Sequence, residues 1–157
     1  MAHAFPHSLV LSSALIAALG LSIVPARADR CDEQARELAG RIEGLKVGRA
    51  AGGIIYLQHP LATQASLGCS SRNRQADFFA ASPARKPPAA FVEMVATAAA
   101  VIFTIPRKDA LRGANRCFER IGILRGKDIK TRYRKLDIQC QASKSGSSIT
   151  ISREKDQ

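Results

Sequence analysis

Four cysteines are the residues best suited to covalent chemistry in this 157-residue chain. They are Cys31, Cys69, Cys117 and Cys140, and they follow one another at intervals of 38, 48 and 23 residues. Structural zinc sites use close pairs such as C-x-x-C, so these spacings predict no metal site. An even number of cysteines in an exported chain predicts two disulfides. Three pairings are open, and Cys31–Cys69 with Cys117–Cys140 closes the shortest loops.

His59 is the candidate for acid–base catalysis, because the other two histidines lie in the first ten residues. A histidine can serve as a general base near neutral pH, and Tyr56 or Ser70 would then supply the hydroxyl of a small secreted hydrolase. However, His59 alternates in phase with Ile55 and Leu57, which favours a hydrogen-bonded histidine at the rim of a core. A cysteine nucleophile is not expected, because the even count leaves no unpaired thiol.

A run of basic residues is the candidate binding site. From residue 107 to the end the chain has 14 basic and six acidic side chains. The residues of the run that we assign to an anionic ligand are Lys127, Lys130, Arg132, Arg134 and Lys135. Such a cluster predicts attraction to an anionic component of a cell envelope or to a protein partner. The alternative is a charged surface that only keeps the protein soluble.

The alternation of the sequence places Arg132 and Arg134 in the same phase as the apolar Leu136. We therefore expect either a bulge near Lys135 or arginines that project past the covered face, and both arrangements expose the charges. Nucleic acid is not expected as the partner, because Tyr133 is the single aromatic residue in the run that could stack on a base.

Composition limits the remaining function classes. The net charge is +11 and 46% of the residues are apolar, which suits one compact domain rather than a disordered chain. The sequence contains no G-x-S-x-G, H-E-x-x-H, phosphate-loop or calcium-loop motif, and carboxylates are few. We predict a binding protein without cofactor, and a hydrolase using His59 is the alternative.

The amino-terminal segment predicts export. Residues 9–24 are apolar, and Ala26-Arg27-Ala28 places small side chains at the two positions that a signal peptidase requires. The run is shorter than the roughly 20 residues that span a membrane, although no Lys or Arg precedes it. We predict a cleavable signal peptide at 1–28 and a single small domain at 29–157, located in the periplasm or secreted. No transmembrane segment is expected in the mature chain.

Periodicity predicts the elements that hold these residues. Three- and four-residue spacing predicts helices over 31–45, 89–105 and 110–121, the second of them apolar on every side. Two-residue alternation predicts one hairpin over 54–69 and another over 136–151, with a further short strand at 76–81. The order is α-β-β-α-α-β-β, which favours an α+β fold with an antiparallel sheet of four to five strands and helices packed on one face.

Overall fold

The structure is a computed structural model that describes residues 27–71, 75–122 and 126–153. These residues form three helices and a seven-stranded antiparallel sheet in the order β1-β2-β3-β4-β7-β6-β5. The elements are α1 (Arg27–Arg41), β1 (Lys46–Ala51), β2 (Ile54–His59), β3 (Ala62–Gly68), β4 (Asp77–Ser82), α2 (Ala89–Phe103), α3 (Arg107–Glu119), β5 (Asp128–Tyr133), β6 (Leu136–Ser143) and β7 (Gly146–Arg153). The predicted leader lies outside the described residues apart from its last two positions.

The predicted α+β class and element order are confirmed, but the sheet has more strands than the four to five expected. The predicted short strand at 76–81 is β4. The two strands that periodicity did not indicate are β1 and β5, at the two edges of the sheet. Every residue of β1 is exposed, and only Ile129 is fully buried in β5. These segments are strands because their backbones pair with a neighbouring strand. Their side chains are mostly exposed, so alternation of apolar residues could not reveal them.

The core lies between the helices and one face of the sheet. A row of apolar side chains crosses five neighbouring strands, and each is at most 2% exposed: Ile55, Leu67, Phe78, Ile151 and Ile138. Burying each of these contributes about 1.5–3 kcal/mol. Helix α2 crosses the middle of this face and touches α1, α3 and β4, which explains why almost all its sides are apolar. No described helix is long and apolar enough to cross a membrane.

Both disulfides tie a helix to the sheet. Cys31 of α1 bonds to Cys69, directly after β3, and Cys117 of α3 bonds to Cys140 in β6. The two expected disulfides are confirmed, and of the three pairings that the sequence left open the structure has the one that closes the shortest loops. Each bridge joins a helix to the antiparallel strands that follow it in the chain.

An exposed polar contact joins α2 to α3. Glu93 and Thr97 are the polar interruptions in the middle of α2, and Arg107 at the start of α3 binds both of them. Its Nε donates to Thr97 Oγ1 at 2.9 Å, and its guanidinium forms an ion pair with the Glu93 carboxylate. Thr97 Oγ1 donates in turn to the Glu93 carbonyl at 2.9 Å. The two polar residues therefore link α2 and α3 at the surface.

Candidate functional site

The predicted basic run lies on β5 and at its two ends. Among the described strands β5 has one neighbour, β6, and the two pair without interruption from Asp128 with Gln141 to Tyr133 with Leu136. The side chains assigned to the anionic ligand are all exposed: Lys127, Lys130, Arg132, Arg134 and Lys135. The structure thus brings the five predicted residues together along one edge of the sheet.

A two-residue turn sets the direction of these side chains. Arg134 and Lys135 have φ values of 51° and 63°, and the chain reverses between Tyr133 and Leu136. Two successive positive φ values are typical of the type I′ turns that connect tight hairpins. Neither expected arrangement, a bulge near Lys135 or arginines that project past the covered face, is found, because the reversal itself resets the alternation. Arg132 consequently lies on the open face of the sheet, opposite to the buried Leu136.

The two carboxylates beside this run are engaged by neighbouring strands. Arg132 Nε donates to Asp137 Oδ1 at 3.1 Å, with 59% and 44% of the two side chains exposed. Asp128 accepts hydrogen bonds from Nε2 of Gln139 at 3.0 Å and of Gln141 at 3.1 Å. These contacts orient the carboxylates along the open face and leave the lysines at the edge as the dominant charge.

Helix α3 and its capping residue Arg120 add three arginines that the sequence analysis missed. Arg112 donates to the Tyr133 hydroxyl at 3.4 Å, and Arg120 donates to Thr131 Oγ1 at 3.1 Å, so this flank of the helix lies over β5. Arg116 is four residues from each and shares the flank. The four-residue spacing within a predicted helix was the signal that could have revealed them. We call these three arginines and the five residues of the run the basic edge.

The basic edge has an internal electrostatic cost. Like charges four residues apart on a helix destabilise it by a few tenths of a kcal/mol per pair. Arg112, Arg116 and Arg120 contain two such pairs, and β5 places Lys130 on the other side of the same edge. The described part of this region carries these eight cations, together with Asp128 and Asp137 on the strands and Asp109 and Glu119 on α3. The positive potential is therefore concentrated here rather than spread evenly over the surface.

The open face of the sheet continues from the basic edge as a polar surface. One row across it contains Lys130, Gln139, Thr150 and Ser66, with Phe79 between the last two. Two shallow clefts of about 490 and 450 Å³ lie on this face, one beside Lys130 and Arg132 and the other beside Lys127 and Asp128. Concave space is therefore available next to the cations.

His59 joins two loops through both of its ring nitrogens. Nε2 lies 3.0 Å from the carbonyl oxygen of Glu43, and Nδ1 accepts the Leu61 N–H at 3.1 Å. With Nδ1 as acceptor, the ring hydrogen is on Nε2 and points to the Glu43 carbonyl. His59 is therefore a hydrogen-bonded residue at the rim of the core.

The structure does not bring His59 and Ser70 together. His59 pairs with Ala62 at one end of the β2–β3 hairpin, and Ser70 follows Gly68, which pairs with Ile54 at the other end. At about 3.4 Å per residue, the two lie roughly 17 Å or more apart. Tyr56 lies nearer to His59 along β2, and its ring is covered by the guanidinium of Arg49 at 5.0 Å from the centroid.

A further cavity lies between α1 and the end of α2. It has a volume of about 610 Å³, and its lining carries charges of both signs from Arg30, Glu33, Glu37 and Arg153. Arg153 donates to the carbonyl of Phe103, and the neighbouring Gln34 donates to the carbonyl of Ile102 at 3.1 Å. These side chains satisfy the last carbonyls of α2, so the cavity lining already has a structural role. No group of three or more metal-ligating side chains occurs in the described residues.

No family model, curated protein or solved structure is significantly similar to this chain.

Proposed function

We propose that this protein is an exported, disulfide-stabilised binding protein that holds an anionic partner at its basic edge. It acts by binding and without catalysis. The observation that supports the proposal most directly is the meeting of the α3 arginines with the β5 lysines at one sheet edge. His59 has no part in it, because its ring nitrogens are taken up by backbone groups.

Exposed charges of this kind act mainly through their combined field. A solvated charge adds little to folding stability, since water screens its interactions with its neighbours. The same charges together raise the local concentration of anions and accelerate their association with the surface. The basic edge therefore suits recognition of a ligand with several negative charges, such as an anionic envelope polymer or an acidic protein.

Two further features support export. Disulfides persist in oxidising compartments, and both bridges here join elements of the folded core. The apolar segment before Ala28 has the pattern of a signal peptide. We place the mature protein in the periplasm or outside the cell, where anionic polymers and lipid headgroups are accessible to it.

Binding to poly-L-glutamate tests this proposal at low ionic strength. Lys127→Ala with Lys130→Ala removes two charges from the basic edge. The control Lys46→Ala with Arg49→Ala removes two exposed cations from β1, at the opposite edge of the sheet, and gives the same net charge. We expect the edge variant to bind about tenfold more weakly and with a shallower salt dependence, while the control stays close to the unmodified protein. Equal losses in the two variants would show that affinity follows net charge and not the edge. His59→Ala should leave binding unchanged.

A further inference from the structure

The backbone of β5 presents hydrogen-bonding groups away from the sheet. At one end of the β5–β6 pair the turn joins Tyr133 to Leu136, and at the other end the Ala142 N–H donates to the Lys127 carbonyl at 2.8 Å. In an antiparallel pair, alternate residues direct their N–H and C=O groups to the neighbouring strand. The odd-numbered residues of β5 therefore bond to β6. The N–H and C=O groups of Asp128 and Lys130 point outward to the edge.

The two edges of the sheet differ in how they resist a further strand. The pairing of β1 with β2 is irregular, with a register shift between Val47 and Ala50. Such irregularities twist an edge and prevent it from pairing with another chain. The β5–β6 register has no shift over its six residue pairs. Among the described residues, charge is therefore the main feature that prevents the β5 edge from pairing with another strand.

The cations of the basic edge flank the outward backbone on both sides. Arg112 and Arg120 reach β5 from the helix side, and Lys130 lies on the open face. Side chains of a strand alternate between the two faces of its sheet. A strand added beside β5 would therefore meet cations on both faces, with Asp128 and Asp137 beside Lys130 and Arg132 on the open face. A second copy of β5 would be repelled, whereas carboxylates on both faces would be attracted.

We propose that β5 binds an acidic, extended segment of another polypeptide as an added strand. Main-chain hydrogen bonds to Asp128 and Lys130 hold the segment, and its carboxylates meet the basic edge above and below the sheet. This deepens the proposed function, on which it rests. In strand addition the main chain supplies affinity and the side chains supply specificity. Acidic runs are disordered when free, so such a segment is accessible without unfolding its parent protein.

Two peptides of equal charge separate strand addition from simple charge attraction. The first is a strand-length synthetic peptide with glutamates at successive positions, and the second carries N-methyl groups on its central residues. N-methylation removes the donors and blocks both backbone edges without changing the charge. Measured on the exported protein by fluorescence anisotropy, the unmethylated peptide should bind at least about tenfold more tightly.

Three other results would contradict strand addition, the proposed function or the choice of a polypeptide partner. Equal binding of the two peptides would overturn strand addition and leave the proposed function intact. Binding no tighter than that of a glutamine version of the peptide would overturn both. A sulfated polysaccharide or phosphatidylglycerol vesicles that bind about tenfold more tightly than the acidic peptide would exclude a polypeptide as the preferred partner.

A proline substitution in β5 tests the same contact from the protein side. Lys130→Pro removes an N–H that points away from β6, where an edge strand tolerates proline. Lys130→Ala loses the same charge but keeps the N–H. We expect Lys130→Pro to bind the acidic peptide about tenfold more weakly than Lys130→Ala. Equal affinities, with both variants folded, would contradict strand addition.

Hydrogen exchange of the unmodified protein requires no variant to fold. In the free protein the amide of Lys130 should exchange faster than those of Ile129 and Thr131, because those two bond to β6. Addition of the acidic peptide should slow exchange at Lys130 by at least about tenfold. An unchanged rate at Lys130 under saturating peptide would place the bound segment elsewhere.

Discussion

Gly113 of α3 lies directly against Ile138 of β6. A Cβ atom built on Gly113 would be 2.8 Å from Ile138 Cδ1 and 3.2 Å from Tyr133 Cδ1. A larger residue at this position would therefore require the Ile138 side chain or the Tyr133 ring to shift. Since Arg112 and Arg116 flank this position, the contact also sets the height of the arginines above β5. The geometry of the basic edge thus depends on a buried glycine.

Gly113→Ala should destabilise the protein despite the better helix propensity of alanine. Overpacking a core costs about 1–3 kcal/mol, whereas glycine to alanine within a helix gains at most about 1 kcal/mol. We expect a net loss of roughly 1 kcal/mol in the free energy of unfolding, measured by urea denaturation. Gly40→Ala is the control, because nothing lies within 4 Å of its Cβ position. It should be neutral or gain up to about 0.5 kcal/mol. A gain at both positions would mean that α3 packs less closely than described.

The two disulfides should differ in their resistance to reduction. Cys117 and Cys140 are both fully buried, whereas Cys69 is partly exposed. Graded reductant under native conditions should therefore open Cys31–Cys69 first, as followed by alkylation and mass spectrometry.

Without reductant, exported protein should show no alkylated cysteine, and labelling of all four would contradict both bridges. Loss of either bridge should cost roughly 3–4 kcal/mol by loop closure.

The turn at Arg134 and Lys135 is a site for stabilisation. Both residues have positive φ, a conformation that asparagine and glycine adopt with less strain. Arg134→Asn with Lys135→Gly should raise stability by about 0.5–1 kcal/mol, seen as a higher melting temperature. The same change removes two charges from the basic edge, so affinity for poly-L-glutamate should fall. A lower melting temperature would show that the turn is not of the hairpin type.

Arg132→Ala with Arg134→Ala should separate binding from stability. The Arg132–Asp137 ion pair is half exposed, and such pairs contribute about 0–1 kcal/mol. We therefore expect the free energy of unfolding to change by under about 1 kcal/mol, while retention on an anionic matrix weakens. The double variant of Lys46 and Arg49 again matches the net charge. A large loss of stability with unchanged retention would make the arginines structural and would remove support for the binding site.

Export can be tested by the mass of the mature protein. Protein recovered from a secreting host should begin at Asp29, because Ala26 and Ala28 fit the peptidase subsites. Intact mass spectrometry measures this directly. Retention of Met1 on exported protein would refute the signal-peptide assignment. It would also remove this support for a location in the periplasm or outside the cell.

Local patterns in the sequence were enough to predict most elements of this fold. The three helices and the strands β2, β3, β6 and β7 each bury one face or all faces, so their apolar residues recur with the period of the element. The spacing of the cysteines favoured the pairing that the structure has, because each bridge joins a helix to strands that follow it closely. The basic run appeared in the sequence only as a cluster of lysines and arginines.

Tertiary structure decided which residues share the candidate site. The edge strands β1 and β5 exist through hydrogen bonds to a neighbour and leave little trace in hydrophobic periodicity. The turn at Arg134 reversed the phase that alternation predicts for Arg132. Arg112 and Arg120 reached Thr131 and Tyr133 only because α3 packs across β5 and β6. Contacts between residues far apart in the chain depend on packing and backbone pairing, and no local pattern encodes them.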